Sequence, residues 1–376
     1  MKIIQVIPDI KSEAAGPTYY MLELCRSLKM LNQDVELHLL RSGVASQETF
    51  PVKEYPKHFL PHPSLGRSPE MCSGLRAACG NADIVHNNSL WMMPNIYPGK
   101  AVVGTRCKLV TSPHGTLAPW ALNRRKYFKK IIGNFLGQYH TLQRTDMFHA
   151  TCMKEYREIR AAGYMQPVAV IPIGIDIPAV QREHGIRRKL LFLGRIHPVK
   201  AVDRLLQAWA VVASDFPDWD FQIVGPDCGL KNTLLEMVAE HRIPRVEFIG
   251  EKNGMDKFKC YAAADLYVLS SFTENFGLTV AEALACGTPV IVSDSIPWLD
   301  VVSHDCGWVS RNTPDHLVNQ LRQSLEMPRR NLEEMGRNGQ KWMQEDYTWK
   351  SIGGKMQKAY QWLLGEIAKP DFIMEA

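Results

Sequence analysis

The sequence predicts an α/β protein with two domains, each built on a parallel β-sheet that helices cover. Apolar runs rich in strand-forming residues alternate with helical patterns, and they fall into two successive series. The chain has 376 residues, of which 45% are hydrophobic and 22% are charged. A chain of this length is longer than a single hydrophobic core usually supports. We therefore expect one domain over residues 1–176 and a second over residues 177–354.

The predicted elements follow the chain in order. The first series opens with a buried strand at residues 2–7 and a helix from about residue 17 to residue 31. Its further strands are predicted at residues 34–40, 82–86, 108–112 and 147–151. The second series contains predicted strands at residues 189–194, 220–225, 246–250, 265–270 and 288–293. The linker is expected between the series, where residues 168–176 end in a turn with Pro and Gly and a polar stretch follows at 181–189.

The cysteines and the apolar runs predict a cytoplasmic chain. Nine cysteines occur without any Cys-x-x-Cys pair, which favours reduced thiols, with Cys286 and Cys306 as packing residues. The apolar run at the N-terminus is shorter than the core of a signal peptide, and no uninterrupted apolar run is as long as a membrane span.

Positive charge is concentrated in one part of the first domain. Nine Lys or Arg and no Asp or Glu lie between Ile84 and Thr145, although the whole chain carries only +5. Five of the nine are Arg124, Arg125, Lys126, Lys129 and Lys130. Apolar residues alternate with them at helical spacing, namely Tyr127, Phe128, Ile131, Ile132, Phe135 and Leu136. The pattern predicts a basic amphipathic helix. This helix either is an ordinary surface helix with its apolar stripe in the core or contacts anionic lipid. A phosphorylated acceptor is a third partner, and the lack of a recognition motif disfavours nucleic acid.

Two glutamates flank a predicted loop-to-helix junction in the second domain. Glu274 lies in the loop, and Gly277 and Leu278 lie at the start of the helix. Glu282 follows in the second turn. The free N–H groups and the dipole of the helix N-terminus attract a phosphate, and the two carboxylates can bind hydroxyls on either side of it. Either the glutamates are ordinary solvated residues or one nucleotide-sugar satisfies both.

Arg195 and Lys200 follow the first strand of the second domain. An arginine fork and a mobile lysine can converge on one pyrophosphate and stabilise the charge on a departing nucleoside diphosphate. The alternative is that both side chains are merely solvated.

The glutamate segment, Glu-Asn-Phe-Gly-Leu-x-x-x-Glu-Ala-Leu-Ala-Cys-Gly-x-Pro-Val-Ile, resembles the signature of retaining group 1 glycosyltransferases of the family-4 type. The resemblance implies the GT-B fold, with two Rossmann-like domains facing a central cleft. It places the acceptor in the N-terminal domain and the nucleotide-sugar in the second domain. It also implies that a closing helix, which includes residues of about 355–376, crosses back to the N-terminal domain.

The resemblance also implies roles for individual residues. Arg195 and Lys200 would contact the diphosphate, Glu274 the donor hydroxyls and Glu282 the ribose diol. The expected catalytic residues are His114, Glu274, Arg195 and Lys200. The expected donor-binding residues are Gly16, Arg195, Lys200, Glu251, Glu274, Asn275, Phe276, Gly277, Leu278 and Glu282. The family commonly has Gly where this chain has Ala201.

Two segments of the first domain are further candidates. Gly16 opens the first predicted helix, where the family usually has two glycines, and it either faces the ligand or simply starts the helix. His114 lies in a Pro-His-Gly segment that resembles one in the family, so it would contact the donor sugar or lie beside its anomeric carbon. The alternative is a structural histidine at a strand end. His86, Asn87 and Asn88 end the preceding predicted strand and are weaker candidates for the acceptor.

No cofactor is expected. Asp218-Trp219-Asp220 matches the metal-binding Asp-x-Asp pattern of the other major glycosyltransferase fold, but it lies in a loop that enters a strand, which favours a structural use. Two basic side chains and a helix terminus can neutralise the leaving diphosphate without a divalent cation. Neither a Gly-x-Gly-x-x-Gly fingerprint nor a Walker loop is present, which disfavours dehydrogenases and phosphate hydrolases.

The expected reaction is transfer of a sugar from a UDP- or GDP-sugar to a glycan hydroxyl, with the anomeric configuration retained by attack on the same face. The base would be read near Gly250-Glu251-Lys252. The basic helix favours a lipid-linked acceptor in bacterial surface polysaccharide synthesis (O-antigen, capsule or lipopolysaccharide), at the cytoplasmic face of the inner membrane. The alternatives are a sugar synthase with a soluble acceptor, a nucleotide-sugar 2-epimerase and a non-catalytic binding subunit.

Overall fold

The computed structural model describes residues 1–10, 16–41, 48–58, 62–123, 126–182 and 185–376. The described chain divides into two compact units. Unit 1 contains residues 1–174 and 349–376, and unit 2 contains residues 175–348.

The strands, in chain order, are β1 (Lys2–Val6), β2 (Asp34–Leu40), β3 (Val52–Tyr55), β4 (Ile84–Asn88), β5 (Lys108–Ser112), β6 (Met147–Ala150), β7 (Val168–Val170), β8 (Arg188–Leu193), β9 (Trp219–Val224), β10 (Val246–Gly250), β11 (Leu266–Leu269), β12 (Val290–Ser293), β13 (Gly307–Ser310) and β14 (Ile373–Met374).

The α-helices are α1 (Gly16–Met30), α2 (Pro69–Cys79), α3 (Tyr97–Ala101), α4 (Pro119–Asn123), α5 (Lys126–Ile131), α6 (Gln138–Gln143), α7 (Met153–Ala161), α8 (Val202–Val212), α9 (Lys231–Glu240), α10 (Gly254–Ala262), α11 (Leu278–Ala285), α12 (Pro314–Leu325), α13 (Arg329–Asp346) and α14 (Trp349–Leu363). A π-helical turn, Ile132–Leu136, follows α5. No helix within the described ranges combines the length and the apolar character that crossing a membrane requires.

The sheet of unit 1 has the strand order β14-β7-β6-β5-β4-β1-β2-β3. The pairs are parallel from β3 to β7, and β14 adds antiparallel to β7. The central strands β1, β4 and β5 are almost wholly buried, as expected for a parallel sheet with helices on both faces. Asn88 pairs with Ser112 at the carboxyl ends of β4 and β5, so the residues that follow these strands share one edge of the sheet.

Unit 2 has a parallel sheet of order β10-β9-β8-β11-β12-β13. Its central strands β8 and β11 end at Leu193 and Leu269, and the segments with Arg195 and Glu274 begin directly after them. The expected α/β architecture is therefore confirmed in each unit. The short strands β3, β13 and β14 were not expected, because four or fewer residues give little periodicity to detect.

The helix α14 belongs to unit 1. It begins at Trp349 and ends at Leu363, whereas the closing helix was expected over residues of about 355–376. It packs on α1, where the hydroxyl of Ser27 donates to the carbonyl oxygen of Trp349 over 2.6 Å. Gly353 makes this close approach possible, since a Cβ atom there would lie only 2.0 Å from the Ser27 hydroxyl. The phenol of Tyr360 extends the contact to the sheet by hydrogen bonds with Gln5 and His86.

Candidate active site

The N-terminus of α11 is the centre of the candidate donor site in unit 2. Gly277 caps the helix with φ 86° and ψ 55°, a left-handed conformation that favours glycine. The indole N–H of Trp298 donates to the carbonyl oxygen of Phe276 over 2.6 Å and fixes the turn before the cap. The first N–H groups of α11 have no partner within the helix, so this end can bind an anion.

Glu274 and Lys200 form an ion pair beside this turn. The hydroxyl of Ser271 also donates to Oε1 of Glu274, over 2.6 Å. Both charged side chains are mostly buried, with 11% of Lys200 and 14% of Glu274 exposed. The structure thus brings together a cation for phosphate and a carboxylate for hydroxyls, although the sequence separates them by 74 positions.

Lys200 is held at the end of a strained turn. Ala201 adopts φ 52° and ψ 40°, although this left-handed region favours glycine. The hydroxyl of Ser270 lies 3.0 Å from the carbonyl oxygen of Lys200 and 3.2 Å from that of Ala201, and it donates to them. The turn therefore keeps the conformation that glycine adopts readily, at a cost in backbone strain.

Arg195 lies exposed after β8 and makes no hydrogen bond or ion pair with any described residue. The backbone of Gly225 lies against that of Gly194, the residue before Arg195. A Cβ atom on residue 225 would lie only 1.9 Å from the carbonyl oxygen of Gly194. The ends of β8 and β9 are therefore packed backbone to backbone, and the Arg195 side chain extends into solvent.

Glu282 is held by two residues of α10. The ammonium group of Lys257 lies 2.6 Å from Oε1, and the phenol of Tyr261 donates to Oε2 over 3.0 Å. Burial and, next, the charge of Glu282 raise the pKa of Tyr261 well above its usual value, so this phenol stays a donor. Neither partner of Glu282 was predicted from the sequence. Their spacing of four places them on one face of a helix, which is the signal that could have found them.

The expected donor-binding residues next to Glu274 and after β10 differ in exposure. The side chain of Phe276 is 5% exposed and packs edge to face on Trp298, with 5.2 Å between the ring centroids. The ring of Phe276 therefore belongs to the core, and the expected contact of this residue with the donor stays a prediction. Asn275 and Leu278 are half-buried near the helix N-terminus, and Glu251 is exposed after β10.

His114 follows β5 in unit 1 and has φ 52°, which is a strained conformation for a non-glycine residue. Its ring is half-buried, and Nε2 lies 3.1 Å from Oδ1 of Asn88. Burial and, next, the neighbouring His149 lower the pKa of His114 to about 3, so the imidazole is neutral near pH 7. The next residue is anchored as well, because the N–H of Gly115 donates to Glu155 over 2.7 Å.

A buried polar chain supports this edge of the sheet. His86 contacts the phenol of Tyr360 through Nδ1 and the hydroxyl of Ser112 through Nε2, each over 2.6 Å. Ser112 continues to Nδ1 of His149 over 2.7 Å, and Nε2 of His149 donates to a backbone oxygen over 2.8 Å. His86, Asn87 and Asn88 are fully buried, so the expectation that they meet the acceptor is not met and they are supporting residues.

Gly16 is the first residue of α1. The preceding segment, which includes Ala15, lies outside the described residues, so the expected contact of Gly16 with a ligand stays a prediction.

The basic segment differs from the expected amphipathic helix. Tyr127, Ile131 and Phe135 are exposed by 85%, 52% and 83%, whereas the adjacent Ile132 is fully buried. The single apolar stripe was therefore wrong: one set of apolar side chains faces the core and another faces solvent. Lys130 is exposed beside the second set, and Lys129 instead donates to the carbonyl oxygen of Ala121. Arg124 and Arg125 lie outside the described residues, as does the side chain of Lys126.

Both carboxylates of the Asp-x-Asp segment form ion pairs with arginines. Asp220 binds Arg187 over 2.8 Å, and Asp218 lies 3.6 Å from Arg188. Both contacts hold the start of β8 against β9, which agrees with a structural use of these carboxylates.

Both units match models of known protein families. Residues 176–342 match the family described as Glycosyl transferases group 1, and residues 14–178 match the family described as Glycosyltransferase Family 4. A D-inositol 3-phosphate glycosyltransferase from Salinispora tropica is 28% identical over 333 residues, which are 75% of this chain and 67% of that protein.

A second relative is a GDP-mannose-dependent monoacylated α-(1-6)-phosphatidylinositol monomannoside mannosyltransferase from Corynebacterium glutamicum, 26% identical over 292 residues, covering 70% of this chain and 72% of the relative. Among solved structures, Anabaena HepE in complex with UDP and glucose has a TM-score of 0.72 and 18% identity, with 98% of this chain and 100% of HepE covered. Since the two family matches together extend from residue 14 to residue 342, the chain is a group 1 glycosyltransferase of the family-4 type with the GT-B fold.

Proposed function

We propose that this glycosyltransferase transfers a sugar from a UDP- or GDP-sugar to a hydroxyl group of a lipid-linked glycan, with retention of the anomeric configuration. The observation that carries the proposal is the grouping of Lys200, Glu274 and the N-terminus of α11, with Glu282 one turn further along that helix. A diphosphate fits the cationic and N–H groups, and sugar and ribose hydroxyls fit the two carboxylates.

Residues of unit 2 are proposed to supply the charge that the leaving group needs. Lys200 and the exposed Arg195 would bind the diphosphate, and the N-terminus of α11 would add its partial positive charge. Together they would stabilise the negative charge that grows as the bond between the anomeric carbon and the phosphate oxygen breaks. The proposal includes no divalent cation in this step.

The contacts of Glu274 favour transfer on one face of the sugar. A carboxylate that pairs with Lys200 and accepts from Ser271 is less nucleophilic than a free one, because both contacts stabilise its negative charge. In the proposed step, the diphosphate leaves with the bonding electron pair as the acceptor oxygen bonds to the anomeric carbon. The acceptor proton passes to the leaving phosphate oxygen. His114 would contact a substrate hydroxyl during this step.

The exposed apolar side chains of unit 1 support a membrane-bound acceptor. Tyr127, Ile131 and Phe135 follow one another at intervals of four, next to the exposed Lys130. Large apolar side chains beside lysines are typical of helices that lie in the interface of an anionic bilayer. The Corynebacterium relative is named for a phosphatidylinositol-based acceptor. We place the protein at the cytoplasmic face of the inner membrane in this proposal, in the synthesis of a surface polysaccharide.

A soluble phosphorylated acceptor is the second candidate. The Salinispora relative is named for inositol 3-phosphate. The surplus of positive charge between Ile84 and Thr145 would bind such a phosphate as well as it binds a lipid headgroup.

The donor site is tested by thermal shift with UDP, GDP and their common sugar conjugates, each with and without EDTA. We expect one nucleotide series to raise the Tm, and EDTA to leave the rise unchanged. Lys200→Met should lose most of this rise. Lys259→Met, which removes an exposed lysine of the same unit, should keep it. A rise that EDTA abolishes would contradict the metal-free site, and no rise with any nucleotide would contradict the donor site itself.

The acceptor and the stereochemistry are tested with the donor so identified. Labelled sugar should enter an organic-extractable lipid-linked glycan in the presence of anionic vesicles, and the anomeric proton of the product should show the configuration of the donor. Label found only in water-soluble phosphorylated products would favour the second candidate. An inverted anomeric centre would exclude same-face transfer.

A further inference from the structure

We infer that Asn88 is a positioning residue of the transfer site: it fixes His114 in the tautomer that leaves Nδ1 as a hydrogen-bond acceptor for a hydroxyl group of the substrate. This inference rests on the proposed contact of His114 with substrate. It concerns which ring nitrogen carries the proton, and hence which substrate groups the ring can accept.

The orientation of the Asn88 side-chain amide follows from its surroundings. Its Nδ2 lies 3.1 Å from Oε1 of Gln5, 3.3 Å from the carbonyl oxygen of Val6 and 3.2 Å from that of His86. Three oxygens around one atom require that atom to be the NH₂ donor. The amide oxygen must therefore be the atom that faces His114.

The tautomer of His114 follows from that orientation. The Asn88 amide oxygen only accepts hydrogen bonds, so the His114 nitrogen 3.1 Å away, Nε2, must carry a proton. A neutral imidazole carries one proton, and Nδ1 is then left with a lone pair. Nδ1 makes no hydrogen bond with any described residue, although Nε2 is fully engaged.

An acceptor at Nδ1 selects the substrate group that can bind there. A sugar hydroxyl can donate to it, whereas a phosphate oxygen without a proton cannot. Because the other tautomer would present an N–H donor at the same place, losing the Asn88 contact would change the chemistry of the site while leaving the ring in position.

The side chain of Asn88 is itself fixed by a further hydrogen bond with Gln5. Gln5, which accepts from Nδ2 of Asn88, donates its own NH₂ to the phenol of Tyr360 over 3.1 Å. Gln5 and Asn88 are both fully buried, so water does not compete for these bonds. The amide therefore has little freedom to flip, which is what a residue that fixes a tautomer requires.

The test is nuclear magnetic resonance of the whole protein labelled with ¹⁵N-histidine, at pH 7.5, without ligand. Two-bond correlations from the ring protons distinguish the protonated nitrogen from the unprotonated one, and the His114 signals are assigned by their loss in His114→Gln. We expect protonated Nε2 in the wild type and a mixture of tautomers in Asn88→Ala. Asn87→Ala is the matched control, since Asn87 is equally buried and bonds to Asn95 instead of His114. It should keep the wild-type signals.

A second variant keeps the inference testable if Asn88→Ala does not fold. Asn88→Asp retains an acceptor oxygen for Nε2 and should keep Nε2 protonated. Because the three oxygens around Nδ2 only accept hydrogen bonds, the second carboxyl oxygen of this variant should stay protonated and donate to them in place of the amide. The other titratable groups around His114 are Tyr20 on α1, His149 on β6, His86 on β4 and, next to Gly115, Glu155 on α7. They are unchanged in this comparison.

The kinetic readout separates this inference from the proposed function. Asn88→Ala should lower kcat/KM for transfer about fivefold to tenfold, the effect of one neutral hydrogen bond. A protonated Nδ1 in the wild type, or unchanged His114 signals in Asn88→Ala, would overturn the inference whatever the activity. Full activity of His114→Gln, in contrast, would remove His114 from the proposed reaction and leave the tautomer measurement standing.

Discussion

Lys200 and Glu274 form an ion pair across the turn that precedes α11, with most of both side chains buried. Before any substrate binds, each charge is therefore balanced by the other. A diphosphate that binds Lys200 competes with this pair, and a sugar hydroxyl that reaches Glu274 replaces a hydrogen bond that the lysine makes. Donor binding and the state of the pair are therefore linked.

We expect Lys200→Met to lose transfer activity by at least tenfold and to lower the free energy of unfolding by about 1 to 3 kcal/mol, since Glu274 keeps its charge without its cation. Lys200→Met combined with Glu274→Gln should recover much of the stability, because no buried charge is left unpaired, but it should recover no activity. Denaturant titration and a transfer assay on the wild type, Lys200→Met, Glu274→Gln and the double variant measure both effects. A double variant less stable than Lys200→Met would contradict the ion-pair argument.

Tyr261→Phe should raise KM for the donor several-fold and change kcat less. The phenol orients Glu282, which is the expected partner of the ribose diol. Tyr267→Phe is the matched control, because that phenol is also fully buried but donates to the carbonyl oxygen of Leu193. Equal KM values for the two variants would show that the orientation of Glu282 does not depend on Tyr261.

Ala201→Gly should be at least as stable as the wild type. The left-handed conformation costs alanine about 1 to 2 kcal/mol, whereas the added chain entropy of glycine in the unfolded state costs about 0.4 to 1 kcal/mol. Ala208→Gly, a buried position within α8, should instead lose about 1 kcal/mol or more. Chemical denaturation of both variants checks the difference. Destabilisation of Ala201→Gly to the same extent would indicate that the Ala201 methyl group packs more tightly than the strain argument allows.

Stability should fall with acid from about pH 6.5, because buried neutral histidines bind protons more weakly in the folded chain than in the unfolded chain. Burial lowers the pKa of His114 to about 3 and that of His149 to about 4. The stability that they contribute is complete above the unfolded value of about 6.5 and is lost as the pH falls towards the folded values. Each adds about 1.4 kcal/mol per pH unit to the slope in this window.

The slope is measured by urea titrations between pH 7.5 and pH 4. His149→Gln should remove one histidine from it. His316→Gln, at an exposed position of α12, should leave it unchanged. A slope that His149→Gln does not alter would mean that His149 titrates normally in the folded protein.

Phe135→Ser should weaken binding to vesicles that contain anionic lipid, because it removes an exposed apolar side chain beside Lys130. Met30→Ser, which removes an equally prominent apolar side chain from α1, should bind like the wild type. Co-sedimentation at low and at physiological salt, with neutral vesicles as a second comparison, measures the effect. Equal binding by the two variants would mean that the exposed side chains of Tyr127, Ile131 and Phe135 serve another partner.

The sequence predicted those parts of the site that depend on local order. The turn at Gly277 and the helix after it could be predicted because both are encoded in adjacent residues. Lys257, Tyr261 and Trp298 were missed because they reach the site through tertiary packing, from other elements of unit 2. Glu155 was missed for the same reason in unit 1.

The error in the basic segment has a physical cause, which is that a periodic pattern does not state which side faces inward. The apolar residues around Lys130 were read with the period of a regular α-helix. The π-helical turn at Ile132–Leu136 has more residues per turn, and Ile131 and Phe135 are both exposed while Ile132 is buried.

The phenol of Tyr360, which bonds to Gln5 and to His86, joins the last helix of the described chain to its first strand. A ribosome makes Gln5 and His86 long before Tyr360, so unit 1 must wait with its central strands complete and one of their partners not yet synthesised. Unit 2 is continuous from residue 175 to residue 348 and leaves the ribosome before α14. We therefore expect the second unit to finish folding first during synthesis, and the polar chain beneath His114 to form only when translation has passed α14.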